Sequence, residues 1–592
     1  MNIKLELIQS INDLSARGLY VASKWSAEQL NGLNSNLRSS KIADTVTTTT
    51  NIEKSSPPIG SNEHIKYLLA KSYFDLKEYR RCVDALQDCK YQLNIFLRCY
   101  ALYLAIEKRR EEENVEHYSL SSLEAAENTG THGMNSNSNN SNNNNNGPPN
   151  EDPMSSTSLD QKSVRETNKA LQAYYGNPET YQEFKKLTRF YHKFYNECGA
   201  TEMDGFNLYL YSILLKRQND LVTARKVLFE SVKRYPCNWS AWSDLSTLCS
   251  DFAVFGMQLS VPDHFMKDFF LAHFKLELQQ NNESISIYQN LSQTFSNSTY
   301  ILAQMAIGNY NLRAYDVGEE LFEKLIELEP NRLESMDIYS NILYVCDKRA
   351  ALSMLAHKAT KIEKYCPETC CIVGNYYSLR LEHTNAIMYF QRALRLNPKY
   401  LSAWTLIGHE FLEVKNVSAA INAYRKAVDI NPRDYRAWFG LGQTYQLLKL
   451  PLYSLYYFKK ATTLRPYDPR MWCAAGGCYE YIDRIPDAIK CYERAEENFD
   501  RERVAINKLA KLYQEMQNNE KAAYYYKKNL YHCDNEKIDG QEIIDALLFL
   551  ANHCKNTNLL NQAEKYCLRL LDYAGPEKEE AKAILIEIHS KR

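Results

Sequence analysis

Polar side chains recur at intervals of 34 residues in the second half of this chain, at Asn341, Asn375, His409 and Gln443. Amide and imidazole groups donate and accept hydrogen bonds, so a column of them can bind the backbone of an extended peptide without demanding one sequence. Solvated surfaces are also polar when they bind nothing, and the pattern leaves that alternative open. We favour the peptide-binding interpretation.

Acidic side chains accompany this polar column. They are Glu334, Asp337, Glu368 and Glu413. Carboxylates in these places favour a ligand that bears arginine, through charge-assisted bidentate hydrogen bonds. Further along, Arg436 and Arg470 add a basic patch that would suit an acidic segment. We therefore expect an oriented peptide or a second partner.

The sequence carries none of the catalytic motifs that we sought. There is no Gly-rich phosphate loop ending in Lys-Ser/Thr, no His-Glu-x-x-His and no Gly-x-Ser-x-Gly. Cys366 with Cys370, and Cys473 with Cys478, lack the paired two-residue spacing and the partner His/Cys pairs of a zinc site. We expect a protein that is not an enzyme and that has no catalytic residues, no metal and no cofactor.

The elements that position these side chains follow the same 34-residue period. Large, small, aromatic, small, aromatic, small and proline residues occur in that order at Trp404, Gly408, Phe411, Ala420, Tyr424, Ala427 and Pro432, and again at Trp438, Gly442, Tyr445, Ser454, Phe458, Ala461 and Pro466. This is the pattern of a tetratricopeptide repeat, a pair of antiparallel helices. Small residues lie where helices approach most closely, aromatic residues fill the gaps beside them, and proline ends the second helix.

The repeat pattern predicts an all-α fold, a tetratricopeptide-repeat superhelix of the α-solenoid type. Regular units start at 265, 299, 333, 367, 401, 435, 469 and 503. In this repeat family the first helix of each pair lines the inner groove. That family property assigns the polar column and the carboxylates to the groove.

Five segments follow from the pattern. Residues 1–109 hold N-terminal helices and repeats, 110–163 a disordered Asn/Ser-rich insertion, 164–264 repeats with an irregular unit, 265–536 the regular repeats with the partner groove, and 537–592 a last repeat and a capping helix. The insertion is predicted to be disordered because its composition cannot bury enough apolar surface to offset its ordering entropy.

Charge and composition argue against several classes of partner. The formal net charge is -1, which gives no global field to attract nucleic acid or an anionic membrane. No 18-residue apolar run and no signal peptide are visible. Sixteen cysteines without regular spacing indicate reduced thiols. We expect neither a nucleic-acid nor a membrane partner, and a location in the nucleus and cytoplasm.

Longer phrases in the chain are more specific than the repeat. They include Arg17-Gly18-Leu19, Ser23-Lys24-Trp25-Ser26-Ala27-Glu28, Asp204-Gly205-Phe206, Phe269-Phe270-Leu271-Ala272-His273, Gly374-Asn375-Tyr376-Tyr377 and Asp434-Tyr435-Arg436-Ala437-Trp438. With these phrases the chain resembles, over nearly its whole length, the family of subunit eight of the anaphase-promoting complex, or cyclosome. The resemblance implies a non-catalytic scaffold in a multisubunit ubiquitin ligase that drives exit from mitosis.

The resemblance also implies partners. In that family the N-terminal repeats form a homodimer, other subunits contact the superhelix, and its groove receives the arginine-bearing C-box peptide of a coactivator. We map the C-box onto Asn341, Asn375, Asp337 and Glu368 as a hypothesis. The dimer surface would include Trp25, Leu69 and Tyr73, although Trp25 could equally be a core residue. The alternative function is a cochaperone or adaptor that binds another extended peptide.

Overall fold

The computed structural model describes residues 3–34, 57–128, 175, 177–249, 264–498, 500, 503–536, 540–573 and 575–591. Within those residues there are 28 α-helices and no β-strand, which confirms the all-α fold. No helix in the described part of the chain is long and apolar enough to span a membrane. The chain divides into two compact units, residues 1–317 and 318–592.

The first unit is built from α-helices. They are α1 (Ile3–Ala16), α2 (Tyr20–Gly32), α3 (Asn62–Asp75), α4 (Tyr79–Ala85), α5 (Gln92–Asn128), α6 (Pro178–Glu202), α7 (Gly205–Arg217), α8 (Leu221–Arg234), α9 (Trp239–Leu248), α10 (Phe265–Glu277), α11 (Asn281–Thr294) and α12 (Thr299–Asn311). The division between the units falls within α13 (Tyr315–Leu328).

The second unit consists of helix pairs followed by one further helix. Its further helices are α14 (Met336–Val345), α15 (Arg349–Ile362), α16 (Pro367–Leu379), α17 (His383–Leu396), α18 (Leu401–Glu413), α19 (Val417–Ile430), α20 (Tyr435–Leu447), α21 (Pro451–Leu464), α22 (Pro469–Tyr481), α23 (Ile485–Glu497), α24 (Val504–Glu515), α25 (Asn519–Glu536), α26 (Gln541–Asn556), α27 (Leu560–Leu570) and α28 (Glu577–Lys591).

Most first helices begin where the 34-residue register puts them, at residues 265, 299, 367, 401, 435 and 469. Two begin late, at Met336 and Val504. In both cases the residue immediately before the helix is left-handed, with φ of 66° at Ser335 and 59° at Arg503. A left-handed residue cannot continue a right-handed helix, so the helix starts after it.

A left-handed residue also turns the chain within each helix pair. These residues recur every 34 positions, at Gln279, Arg313, Asp347, Leu381, Lys415, Lys449, Asp483 and Gln517. Between α16 and α17, the backbone N–H of Leu381 donates to the carbonyl of Ser378, and the backbone N–H of Glu382 donates to the carbonyl of Tyr377. These bonds satisfy carbonyls at the end of the first helix, which allows the three-residue connection to the second.

Small residues lie at the closest approach of the two helices, as the pattern predicts. A Cβ atom on Gly408 would lie 2.6 Å from Cε1 of Tyr424, and one on Gly476 would lie 2.8 Å from Cζ of Tyr492. Both tyrosine rings are fully buried. A larger residue at either glycine would displace the aromatic ring that fills the pair.

Proline and tryptophan connect successive pairs. The indole N–H of Trp438 donates to the carbonyl of Pro432 at 2.8 Å, and that of Trp472 donates to Pro466 at 2.8 Å. Each bond joins the turn after one pair to the first helix of the next. The recurring Pro and Trp therefore act together to set the position of the next repeat.

The prediction of disorder from residue 110 is wrong for its first part, because α5 continues to Asn128. Between residues 110 and 128 the sequence has six Glu, two Leu and two Ala, which favour helix. Arg109 forms ion pairs with Glu113 one turn away and with Glu179 of α6. Residues 129–163 lie outside the described residues. The long helix α6 was not anticipated.

Candidate peptide-binding site

Two members of the polar column, Asn341 and Asn375, are in contact. Asn375 on α16 donates from Nδ2 to Oδ1 of Asn341 at 2.7 Å and to Oγ of Ser340 at 2.8 Å. The Ser340 hydroxyl donates its hydrogen to the backbone carbonyl of Asp337, so its Oγ must accept from Asn375. This fixes the amide orientation, which otherwise would be ambiguous.

The same two amides keep one free group each. Within the described part of the chain, Asn341 Nδ2 donates to no acceptor and Asn375 Oδ1 accepts from no donor. Neither atom is sealed from solvent. A donor beside an acceptor is what the backbone of an extended peptide requires, since a peptide unit offers one C=O and one N–H.

Asp337 and Glu368 form an acidic pair next to these amides. Burial raises the pKa of Asp337, against hydrogen bonds from the hydroxyls of Tyr400 and Ser402, and the charge of Glu368 raises it further. Glu368 is half-buried and accepts a hydrogen bond from the Cys366 thiol. No Lys or Arg among the described residues forms an ion pair with either carboxylate.

His409 lies one repeat along from Asn375 and is exposed. Its Nδ1 lies 2.9 Å from the Tyr424 hydroxyl. Burial raises the pKa of Tyr424, so the phenol stays protonated and can donate to Nδ1, which leaves Nε2–H as a donor. Although part of the ring is open to solvent, the surrounding protein and then Arg436 lower the pKa of His409, so the imidazole is neutral at pH 7.

The remaining predicted residues are more scattered. Glu334 is exposed and lies 3.6 Å from Arg332. Glu413 is exposed and Gln443 is half-buried, and neither side chain forms a hydrogen bond to another described residue. The structure therefore brings together Asn341 and Asn375, with Asp337 near Glu368, but does not join Glu334, Glu413 or Gln443 to them.

The sequence reasoning missed a polar network beside the site. The buried carboxylate of Glu410 accepts from Ser378 at 2.6 Å and lies 2.9 Å from Nδ1 of His383. It thereby joins α16, α17 and α18. No signal in a single repeat predicts this contact, because its three residues occupy different repeat positions.

Trp25 is a core residue. Of the two interpretations given for it, dimer surface and core, the structure supports the core and corrects the assignment to a dimer surface. Its ring stacks on Trp239 at 4.7 Å and meets Phe269 and Tyr300 edge-on. By contrast, Leu69 is exposed, and Tyr73 is half-buried beneath the Arg81 guanidinium at 4.2 Å.

Glu6, Cys237 and His264 form a three-residue cluster that could be mistaken for a metal centre. His264 accepts the Met266 backbone N–H at Nδ1, so its proton is on Nε2, 3.0 Å from Glu6. Metal-binding histidines usually donate from the other ring nitrogen, and here that nitrogen accepts. Burial also raises the pKa of Cys237 to about 12. The cluster fits a hydrogen-bond network between α1 and the start of α10.

Comparison with known proteins identifies the family. A profile described as "Anaphase promoting complex subunit 8 / Cdc23" matches residues 2–306, and a TPR repeat profile matches residues 408–449. The chain is 70% identical to anaphase-promoting complex subunit 8 of Dictyostelium discoideum, over 100% of this chain and 98% of that protein. It is 46% identical to the Arabidopsis thaliana protein of the same name, over 98% and 95%.

Among solved structures, the crystal structure of the APC/C hetero-tetramer Cut9-Hcn1 covers 89% of this chain and 96% of its own, with 13% identity and a TM-score of 0.47. Family membership rests on the two sequence relatives, which cover 98% or more of this chain, and on the profile over residues 2–306. On that evidence, this tetratricopeptide-repeat chain belongs to the family of anaphase-promoting complex subunit 8, also described as Cdc23.

Proposed function

We propose that the chain is a non-catalytic scaffold subunit of the anaphase-promoting complex, active in cell-cycle control and in contact with other subunits. Family membership supports this role. So does the architecture, because helical repeats offer extended surfaces rather than a catalytic pocket. We also propose a location in the nucleus and cytoplasm, which is compatible with the free thiols of the described cysteines.

We further propose that the site around Asn341 and Asn375 binds the arginine-bearing C-box of a coactivator. The observation that carries this proposal is the acidic pair, Asp337 and Glu368, which has no cationic partner among the described residues. Buried or half-buried carboxylates are costly when they are unpaired. An arginine guanidinium would supply the missing charge and hydrogen bonds.

The free amide groups give the ligand its direction. Asn341 Nδ2 can donate to a peptide carbonyl while Asn375 Oδ1 accepts the neighbouring N–H. The Nε2–H of His409 offers a further donor one repeat along. An extended segment would therefore lie across α14, α16 and α18, with its arginine beside Glu368.

Fluorescence anisotropy of a labelled C-box peptide on the purified full chain tests this assignment. We expect binding to be lost with an Arg→Glu peptide and with Glu368→Lys, and to weaken about tenfold with Asn375→Ala. Glu497→Lys, the same charge change on an exposed residue of α23, is the control and should leave binding unchanged. Equal affinity for native and Arg→Glu peptides would reject the C-box and favour the adaptor alternative.

We also propose a homodimer through the first unit. The supporting feature is the apolar exposure of α3, where Ile65, Leu68 and Leu69 are 59%, 52% and 49% exposed. Adjacent exposed apolar side chains mark interaction surfaces. Light scattering on the Leu68→Glu, Leu69→Glu double variant should show a monomer, while Val222→Glu, also exposed in this unit, should remain dimeric. A dimer in both would move the interface elsewhere.

A further inference from the structure

The repeat that starts at residue 435 has an unusual charge distribution. Between Asp434 and Asp468 there is no acidic residue, whereas Arg436, Lys449, Lys459, Lys460 and Arg465 are basic. The chain as a whole has nearly equal numbers of acidic and basic residues. This one repeat is therefore a local positive region in a chain of almost zero net charge.

The same repeat exposes a set of apolar and aromatic side chains, which we term the Tyr453 surface. It consists of Leu447, Leu448, Leu450, Leu452, Tyr453 and Tyr456. Leu452, Tyr453 and Tyr456 are 69%, 60% and 54% exposed. They occupy the first two turns of α21, whereas Leu447 ends α20 and Leu448 and Leu450 lie in the turn between the two helices.

Neighbouring repeats show that the helix pair does not require these residues. The positions of Leu452 and Tyr453 hold Ser418 and Ala419 in the preceding repeat, and Pro486 and Asp487 in the following one. Those repeats form the same helix pairs without a large apolar side chain there. The Tyr453 surface is thus an addition to the fold rather than part of its core.

The aromatic rings of this surface pack against neighbouring tyrosine rings that fix their positions. Tyr445 stacks on Tyr453 at 5.6 Å and on Tyr457 at 5.2 Å, and Tyr457 meets Tyr456 edge-on at 5.2 Å. The Tyr445 hydroxyl accepts a hydrogen bond from Arg425 at 2.9 Å. Rings fixed in this way lose little conformational entropy on binding, which is why tyrosine is frequent among the residues that dominate interface energies.

Three lysines of this repeat have no carboxylate partner among the described residues, and one of them, Lys460, lies beside a ring of the surface. Lys449, Lys459 and Lys460 are exposed, and none forms an ion pair with a residue that the structure describes. Lys460 lies 5.9 Å from the Tyr456 ring centroid. Free ammonium groups beside rigid aromatic rings are complementary to carboxylates beside apolar side chains.

We propose that the Tyr453 surface docks an acidic protein segment that carries apolar side chains among its carboxylates, contributed by another subunit of the complex. The apolar side chains cover Leu452, Tyr453 and Tyr456, and the carboxylates pair with the surrounding lysines. This inference rests on the proposed scaffold role but is independent of the C-box site, which lies on α14, α16 and α18.

Zero-length carbodiimide coupling, which joins lysine amines to carboxylates, tests the docking in the assembled complex purified through a tag on the full chain. We expect couplings from Lys449, Lys459 or Lys460 to an acidic, apolar-containing segment of another subunit. Backbone amides of residues 447–456 should also exchange hydrogen more slowly in the complex than in the free chain. Co-purification without either effect would reject the docking surface, while failure to co-purify would reject the scaffold role.

Matched variants distinguish the loss of tyrosines in the Tyr453 surface from the loss of exposed tyrosines elsewhere. Tyr453→Ser with Tyr456→Ser should weaken binding of the coupled subunit by about tenfold or more. The control is Tyr524→Ser with Tyr531→Ser, because Tyr524 occupies the position of Tyr456 in a later repeat and both control residues are exposed. Equal loss in both double variants would contradict the proposal.

Two other occupants give different results. Couplings from these lysines to a second copy of this chain would overturn the proposal in favour of self-association. Sedimentation of the free chain with phosphatidylcholine–phosphatidylserine vesicles, lost in the Tyr453→Ser, Tyr456→Ser variant, would overturn it in favour of an anionic membrane. We expect neither.

Discussion

Replacing Trp25 with alanine should destabilise the first unit without acting on a dimer interface directly. The side chain is 4% exposed, stacks on Trp239 and meets two further rings. Deleting a buried tryptophan costs about 3–5 kcal/mol. Its indole N–H has no partner among the described residues. Removing that unpaired buried donor therefore reduces the loss of unfolding free energy by about 1 kcal/mol. The net loss is about 3 kcal/mol.

Thermal unfolding of the full chain, followed by circular dichroism, measures this loss. At about 2–4 °C per kcal/mol, the transition of the first unit should fall by on the order of 10 °C. Val21→Ala on the same helix, at a side chain that is 75% exposed, should shift it very little. A Trp25→Ala chain that keeps its melting temperature but becomes monomeric by light scattering would refute the core assignment.

Three further predictions concern other parts of the fold. Gly476→Ala should destabilise the second unit by about 1–3 kcal/mol, because the added Cβ would lie 2.8 Å from Tyr492. At the adjacent Gly477 an added Cβ would lie 3.8 Å from the nearest atom, so Gly477→Ala should stabilise α22 by up to about 1 kcal/mol. Chemical denaturation of both variants distinguishes the two effects. Leu381→Asn should stabilise by about 0.5–1 kcal/mol, since Leu381 is 76% exposed and has φ of 63°, which asparagine tolerates better; no change in the unfolding midpoint would contradict this. Burial raises the pKa of Asp337 above its ordinary value of 3.8. Just above that pH the folded chain therefore binds more protons than the unfolded chain, and its unfolding free energy falls as the pH rises. Asp337→Asn should remove this part of the pH dependence in urea titrations, and an unchanged profile would show that another group is responsible.

The periodic part of the fold could be predicted from sequence because each repeat solves the same packing problem. Gly408 and Tyr424 occur together since the ring needs the space above the glycine, and such pairs are visible in a single sequence. The late starts of α14 and α24 were not predictable, because Ser335 and Arg503 adopt left-handed conformations without a glycine to signal them.

The candidate site was predictable only where its contacts repeat. The contact of Asn341 with Asn375 follows from adjacent repeats that carry the same residue at the same position. The hydroxyls that face Asp337 come from Tyr400, the last residue of the next repeat, and from Ser402 of the repeat after it. A one-dimensional period does not indicate which side chains reach that far. The partners of Trp25 lie more than 200 residues away in sequence, which no local pattern can show.

A charge exchange between chain and peptide tests the central claim, that Glu368 receives the arginine of a C-box segment. The binding affinities of native and Arg→Glu peptides would be measured for the native chain and for Glu368→Arg. We predict that each single exchange abolishes binding and that the doubly exchanged pair recovers at least part of it, as a direct ion pair requires. A doubly exchanged pair that binds no better than either single exchange would contradict the account.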